Sequence, residues 1–363
     1  MSIRHAEEYR DPEISQKLIA KIRSESRRNV RLMEVCGTHT MSIFRNGIRA
    51  VLPETVTLLS GPGCPVCVTD QSEIDAFIRI ARTENVIVCS FGDLLRVPGT
   101  GSSLEKERAG GRDVRIVYSS TDALETAKKN PDKKVVFLGV GFETTAPTVA
   151  AAVLAAEEMK LDNFFVFSAH KRVIPALMAL GRMQQIQVDG FLLPGHVSVI
   201  IGTDAYTPFF AAYRIPCVIA GFEPADILHA VYRLIFRIEK NEPALENAYP
   251  RAVMLRGNTK ALELMDRVFE PVDASWRGMG TIPQSGLRLR QSFEKYDALK
   301  ALNIKINPAQ EPKGCACGLV ITGQVIPPEC PLYKKICTPV NPVGPCMVSG
   351  EGTCAAYYRY HGE

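Results

Sequence analysis

Residues 135–159 read VVFLGVGFETTAPTVAAAVLAAEEM. The first part, Val135–Val140, is apolar on every successive position, as a strand must be when both of its faces are covered. Strands of that kind belong to parallel sheets layered between helices. A glycine turn follows, and then a long alanine-rich run of good helix formers from Thr148 to Met159. The unit is strand, tight turn, helix, and the same grammar recurs along the chain. Strands are expected at Val30–Val35, Thr55–Leu59, Val86–Ser90 and Val114–Tyr118 before it, and at Phe164–Phe167, Gly190–Leu193 and Cys217–Ala220 after it. Amphipathic helices are expected at Ile14–Arg27, Met41–Val51, Gln71–Thr83, Thr121–Lys129, Pro175–Met183 and Pro224–Lys240. Asp70 followed by Glu73 reads as a capping box that opens the third of these. The alternation of short strands with helices gives an α/β fold built on parallel sheets.

The chain has 363 residues, enough for two or three domains at the usual size of about 150 residues each. The strands are better divided between two sheets than joined in one, and the polar stretch 128–134 is the natural divide. A faint internal echo agrees, since strands lead into Gly141-Phe142-Glu143 and again into Gly221-Phe222-Glu223. The expected organisation is two Rossmann-like α/β domains, residues 1–130 and 131–300, followed by a small cysteine-rich domain over 301–363. That last segment is rich in proline and glycine and has little periodicity, so something other than a large apolar core must hold it.

Hydrophobic residues make up 46% and charged residues 23%, which excludes a disordered or collagenous chain. Basic and acidic residues number 43 and 39, a balance that argues against a dedicated nucleic-acid binder. The charged stretch MSIRHAEEYRDPEI at the start does not read as a signal peptide, and no apolar run reaches the length of a membrane span. A cytoplasmic protein is expected. In that reducing compartment eleven cysteines are read first as metal ligands or redox groups.

Six of them fall in the tail as C-x-C-x12-C-x6-C-x8-C-x7-C: Cys315, Cys317, Cys330, Cys337, Cys346 and Cys354. Zinc ribbons use paired C-x2-4-C knuckles, and this segment has none. Wide spacings and the step Cys330-Pro331 suit an iron–sulfur cluster better, with zinc the second choice. Spacing does not decide which four of the six are ligands.

Two further motifs each follow a strand and precede a helix. Cys36-Gly37-Thr38-His39 puts a thiol at a strand-to-helix turn, where backbone N–H groups and the helix dipole favour the thiolate and His39 is near enough to tune it. Gly61-Pro62-Gly63-Cys64-Pro65-Val66-Cys67 carries a C-x-x-C at a helix start, the arrangement of a redox dithiol; half of a zinc site is the alternative. Gly139-Val140-Gly141 begins a dinucleotide fingerprint, but Thr144 stands where the third glycine belongs, so NAD is not expected. His170 and His196 both follow strands and face either a ligand crevice or, more ordinarily, a structural hydrogen bond. Cys89 and Cys217 lie inside strands and read as packing residues.

Together these strings resemble the HypD family of [NiFe]-hydrogenase maturation proteins. The matching pieces are CGTH (36–39), GPGCPVC (61–67), GFETTAP (141–147), PGHVSVIIG (194–202), AGFEP (220–224), WRGMGTIPQSGL (276–287) and CPLYKKICTPVNPVGPCMVSGEGTCAAYY (330–358). The resemblance spans nearly the whole chain. It implies a scaffold on which the Fe(CN)2CO group of the hydrogenase is assembled, in complex with the chaperone HypC, with cyanide received from HypE, itself supplied by HypF. By the same resemblance Cys36 is the main thiolate for that iron, Cys64 and Cys67 are a redox dithiol beside it, and His39 serves the same site. Cys315, Cys330, Cys337 and Cys354 are the implied ligands of a [4Fe-4S] cluster, and Cys317 and Cys346 an implied redox pair. A stand-alone iron–sulfur dithiol oxidoreductase is the alternative, although it leaves the CGTH turn without a task.

Overall fold

The computed structural model describes residues 7–183 and 185–361. All eight expected strands are present, together with three that the sequence pattern did not announce. β1 (Val30–Glu34), β2 (Val56–Ser60), β7 (Gly190–Pro194), β8 (Cys217–Ala220) and the short β9 (Leu245–Asn247) form one sheet in the order β2-β1-β7-β8-β9. β3 (Val86–Ser90), β4 (Val114–Ile116), β5 (Lys134–Gly139) and β6 (Phe164–Ser168) form the second, ordered β4-β3-β5-β6. Every pairing in both is parallel. β10 (Phe269–Trp276) and β11 (Gly280–Leu289) make a separate antiparallel hairpin.

Apolar strands mean two covered faces, and the core bears this out. In the second sheet Ile87, Val135 and Phe137 pack with the helices Ser120–Lys129 and Ala146–Glu158. Their chain neighbours Val88, Val136 and Leu138 pack on the other face with Ile74 and Phe77 of the helix Gln71–Arg82. That helix opens with the expected capping box: Asp70 accepts from Ser72 N–H at 2.9 Å, and Glu73 accepts from Asp70 N–H at 3.1 Å. The first sheet is covered on one face by the helix Pro224–Lys240, whose Ile227, Val231, Leu234 and Ile235 meet Leu32, Leu192 and Val218.

The two sheets exist, but they do not divide at 128–134. β5 begins at Lys134 and pairs with β3, so strands from both sides of that stretch share one sheet. The first sheet is interrupted: β1 and β2 are completed by β7, β8 and β9 only after the whole second sheet has been threaded. The charges at 128–134 mark the end of a helix and a surface turn, which is all that local polarity reports. The helix expected from Met41 to Val51 starts earlier, at Gly37, and breaks at Gly47 in the left-handed region (φ 62°), giving Gly37–Arg45 and Ile48–Val51.

His170 takes the structural option. It is buried after β6 with its ring 5.5 Å from that of Phe269, and its Nδ1 lies 2.9 Å from Ser168 Oγ. Burial lowers its pKa to about 3, with the Lys171 charge a lesser cause. The folded state therefore holds this ring neutral where the unfolded chain, titrating near 6.5, binds a proton. Stability is expected to fall as pH drops from about 6.5 towards 3, by up to about 1.4 kcal/mol per pH unit from this group. His170→Gln should flatten that limb in denaturant titrations; an unchanged slope would contradict the assignment.

Candidate functional site

β1 and β2 are neighbours in register, with Glu34 opposite Ser60, so the turns that follow them emerge side by side. Gly37 N–H donates to Gly63 O at 3.0 Å, and Gly61 N–H donates to Glu34 O at 2.7 Å. A side chain at Gly63 would land on the backbone N and Cα of Cys36, so only glycine allows the two turns to touch. The CGTH and CPVC motifs, separate in sequence, thus form one surface.

Cys36 stands at the N-cap position of the helix Gly37–Arg45, without a side-chain capping hydrogen bond, and is buried. The nearby backbone N–H groups of Thr38 and His39 at the helix start favour its thiolate. Desolvation outweighs them: burial, reinforced by the Glu351 charge, pushes the Cys36 thiol up to about 12. The thiolate expected from the turn geometry is therefore not the resting form. Beneath it lies Glu34, also buried, which accepts from Thr40 Oγ1–H at 2.6 Å and from Cys36 N–H at 3.2 Å. Burial raises its pKa to about 8.

The His39 ring does not face Cys36. Its Nε2 donates to Gly221 O at 2.9 Å and the ring stacks on Phe222 with centroids 4.7 Å apart; His196 stacks against the same Phe222 at 3.8 Å. His39 Nδ1 is buried without a hydrogen-bond partner, and burial lowers the ring's pKa to about 4. The GFE echo is thus a repeated position. Phe222 supports His39 after β8, while after β5 Phe142 stacks on Trp276 and buried Glu143 accepts from Val173 N–H at 3.0 Å.

Cys64 and Cys67 are joined as a disulfide, both buried, with Cα atoms 5.2 Å apart. Cys64 caps the short helix Pro65–Val68, and Cys67 N lies 3.2 Å from Cys64 Sγ. The hairpin β10–β11 braces this helix. Arg277 N–H donates to Val68 O at 3.0 Å, and Trp276 is anchored by its Nε1–H to Ser285 Oγ at 2.8 Å.

The tail closes over both turns. Thr38 Oγ1–H donates to Glu351 Oε1 at 2.6 Å, and Ser349 Oγ lies 3.4 Å from Cys64 Sγ. Phe44 packs against Tyr357 with ring centroids 4.6 Å apart. Residues from the tail share one apolar cluster with Cys64, Cys67, Val68 and Trp276. Behind this, all six tail cysteines line a single cavity with Tyr333, Gly344 and Met347. Within it the sulfurs of Cys317 and Cys346 are 2.9 Å apart. Val343 N–H points to Cys337 Sγ at 3.3 Å. The thiols of Cys315 and Cys346 beside it, helped by the Arg277 charge, hold the Cys317 thiol well below its ordinary range. Among the described residues, no three His, Cys, Asp or Glu side chains gather as ligands of a single metal ion.

The hydrogenase formation family described as "Hydrogenase formation hypA family" matches residues 13–361. The chain belongs to the HypD family. The hydrogenase maturation factor HypD of Azotobacter vinelandii is 44% identical over 367 residues, covering 99% of this chain and 97% of that protein. Those of Cupriavidus necator and Escherichia coli K12 are 40% and 42% identical over similar spans, covering 99% of this chain and 97% and 98% of their own. This HypD chain is accordingly a hydrogenase maturation factor, and no described helix in it is long and apolar enough to cross a membrane.

The fold brings Cys36, Cys64 and Cys67 into one place and the six tail cysteines into another; Cys89 and Cys217 are buried in β3 and β8, as strand residues. Sequence reasoning missed Glu34, Ser349 and Glu351. Glu34 carried a signal, being a carboxylate at the end of an otherwise apolar strand. Ser349 and Glu351 had no local signal, because their role comes from a contact across some 300 residues of chain.

Proposed function

We propose that this HypD chain is the scaffold on which the Fe(CN)2CO unit is assembled, with Cys36 as the thiol that takes the iron and Cys64–Cys67 as the redox pair next to it. The observation that carries this reading is the contact of Gly63 with the Cys36 backbone, which sets a buried thiol against a disulfide. A stand-alone dithiol oxidoreductase would have no use for that second thiol. Iron arrives as substrate and displaces the Cys36 proton, since a metal stabilises a thiolate that burial alone disfavours. A soft sulfur donor suits low-spin iron carrying cyanide and carbon monoxide. Backbone N–H groups of Thr38 and His39 are donors for the developing negative charge on sulfur. His39, locked to Gly221 O, holds the first helical turn in place. The small chaperone HypC as co-holder of the iron, HypE as cyanide donor and a cytoplasmic site of action complete the reading.

The tail cavity supports a [4Fe-4S] reading by its donors: six cysteine thiols line one space, more than the four such a cluster needs. Cys315, Cys330, Cys337 and Cys354 would hold it, leaving Cys317 and Cys346, already in sulfur contact, as a dithiol pair. When bound, the cluster supplies single-electron chemistry. Anaerobically purified protein is expected to contain about four iron and four acid-labile sulfide per chain. Zinc without sulfide would instead assign the tail a structural metal.

The decisive experiment is infrared spectroscopy of the protein co-purified with its chaperone. Bands of iron-bound cyanide and carbonyl are expected; a complex that forms but never shows them, in cells competent for hydrogenase maturation, would overturn the scaffold reading.

A further inference from the structure

A cavity of about 240 Å³ opens at the C-terminal ends of β3 and β5, where the strand order of the second sheet turns in both directions. Open α/β sheets place their working crevice there. Ser90, Leu138 and Val140 form its floor, and Pro65 and Val66 of the C-x-x-C helix form one wall. Asp93, exposed at the rim, reaches the tail: its Oδ2 accepts from Gly350 N–H at 3.1 Å and from Ser349 Oγ–H at 3.4 Å. Ser349 is buried, and its Oγ is also 3.4 Å from Cys64 Sγ while accepting Glu351 N–H at 3.2 Å. One hydroxyl proton therefore has two acceptors to choose between, a carboxylate at the cavity rim and a sulfur beneath it.

We infer that Ser349, delivered from the tail, is a positioning residue that makes Cys64 the nucleophilic member of the Cys64–Cys67 pair, and that Asp93 opposes it by competing for the same proton. The inference rests on the redox reading of that pair. While the disulfide is closed, Ser349 donates to Asp93. An external dithiol reductant opens it in two exchanges. Its thiolate bonds to Cys64 Sγ and expels Cys67 Sγ, which takes up a proton; its second thiolate then displaces Cys64 Sγ, closing the reductant's own disulfide. Two electrons have passed to the pair. The Cys64 thiolate so released meets two donors, Cys67 N–H at the helix start and Ser349 O–H, whereas Cys67 gains neither. The titratable groups nearest the turn are Asp93, Glu351 and Glu34, all acidic, with burial holding Glu34 mostly protonated, and Arg277 lies behind the helix. Against acidic neighbours, a neutral hydroxyl donor is what tips the sulfur toward thiolate.

The test measures the alkylation rate of Cys64 by iodoacetamide against pH, read by mass spectrometry in full-length Cys67→Ser protein, where Cys64 is the single thiol of the pair. Ser349→Ala should slow alkylation at pH 7 about 10-fold and move its midpoint to higher pH, the scale of one charge-assisted hydrogen bond. Ser349→Thr should restore the rate, and Asp93→Asn, which removes the competing charge, should raise it. General loosening of the turn would drive both substitutions the same way. Equal rates with serine and alanine overturn the assignment of Ser349; anything other than acceleration in Asp93→Asn overturns that of Asp93. Thiol trapping of the unsubstituted protein across redox buffers separates the premise: if Cys64 and Cys67 never exchange between dithiol and disulfide, the redox reading fails, whatever the alkylation rates.

Discussion

Cys36→Ala is expected to abolish capture of the Fe(CN)2CO unit while leaving the tail cavity and the fold in place. Cyanide and carbonyl bands should vanish from the co-purified chaperone complex, with the visible absorbance of the tail cluster unchanged as the internal control. The side chain is small and buried, so the truncation costs about 1 kcal/mol of packing, far less than a domain's stability. The iron–sulfur bond has no substitute in alanine. His39→Ala should be milder, about 10- to 100-fold in retention of the iron unit, because that ring acts through the backbone it anchors and not on the sulfur. Bands of full intensity in Cys36→Ala would move the iron to Cys64 or Cys67.

Gly63→Ala is the second substitution with a large expected effect, and it changes no reactive group. The added methyl would overlap the backbone N and Cα of Cys36 and the carbonyl carbon of Val35. Backbone at a strand end cannot swing aside as a flexible side chain would, so the two turns must part. Overpacking of this kind costs about 1–3 kcal/mol. The larger consequence is functional: Cys36 and the Cys64–Cys67 pair, both chemically intact, should no longer act together. Normal redox exchange of Cys64–Cys67 with loss of the iron bands is the expected result. Full iron loading would show that contact between the turns is dispensable.

The strands were readable because each carries its own pattern, and every one of the eight expected appears. What a strand pairs with is not written in the strand. The divide placed at 128–134 rested on local charge, whereas pairing of β1 with β7 joins residues nearly 160 apart and leaves no mark at either. The hairpin at 269–289 escaped because its strands are half exposed and irregular, with a bulge between Val272 and Ala274. Gly278 and Gly280, both at positive φ, were the turn signal available. At the site the cysteines announced themselves through spacing. The protonation of Cys36 did not: a helix start favours the thiolate, and the decisive fact, how much protein covers it, belongs to the assembled molecule.

The interrupted first sheet sets a timetable for a chain emerging from the ribosome. Residues 30–60 leave early, yet β1 has one edge unpaired until β7 arrives at Gly190, and the sheet is complete only at Asn247. The second sheet, contiguous from Val86 to Ser168, is free to form in the interval. Ser349 and Glu351, which cover Cys36 and Cys64, come later still. A half-made protein thus has both motifs but no lid over either, and its thiols remain open to solvent until Ser349 and Glu351 have been made. At that stage Cys36 and Cys64 face water, whereas in the folded protein both are buried. The order of synthesis itself then makes the burial of these cysteines one of the later steps of folding.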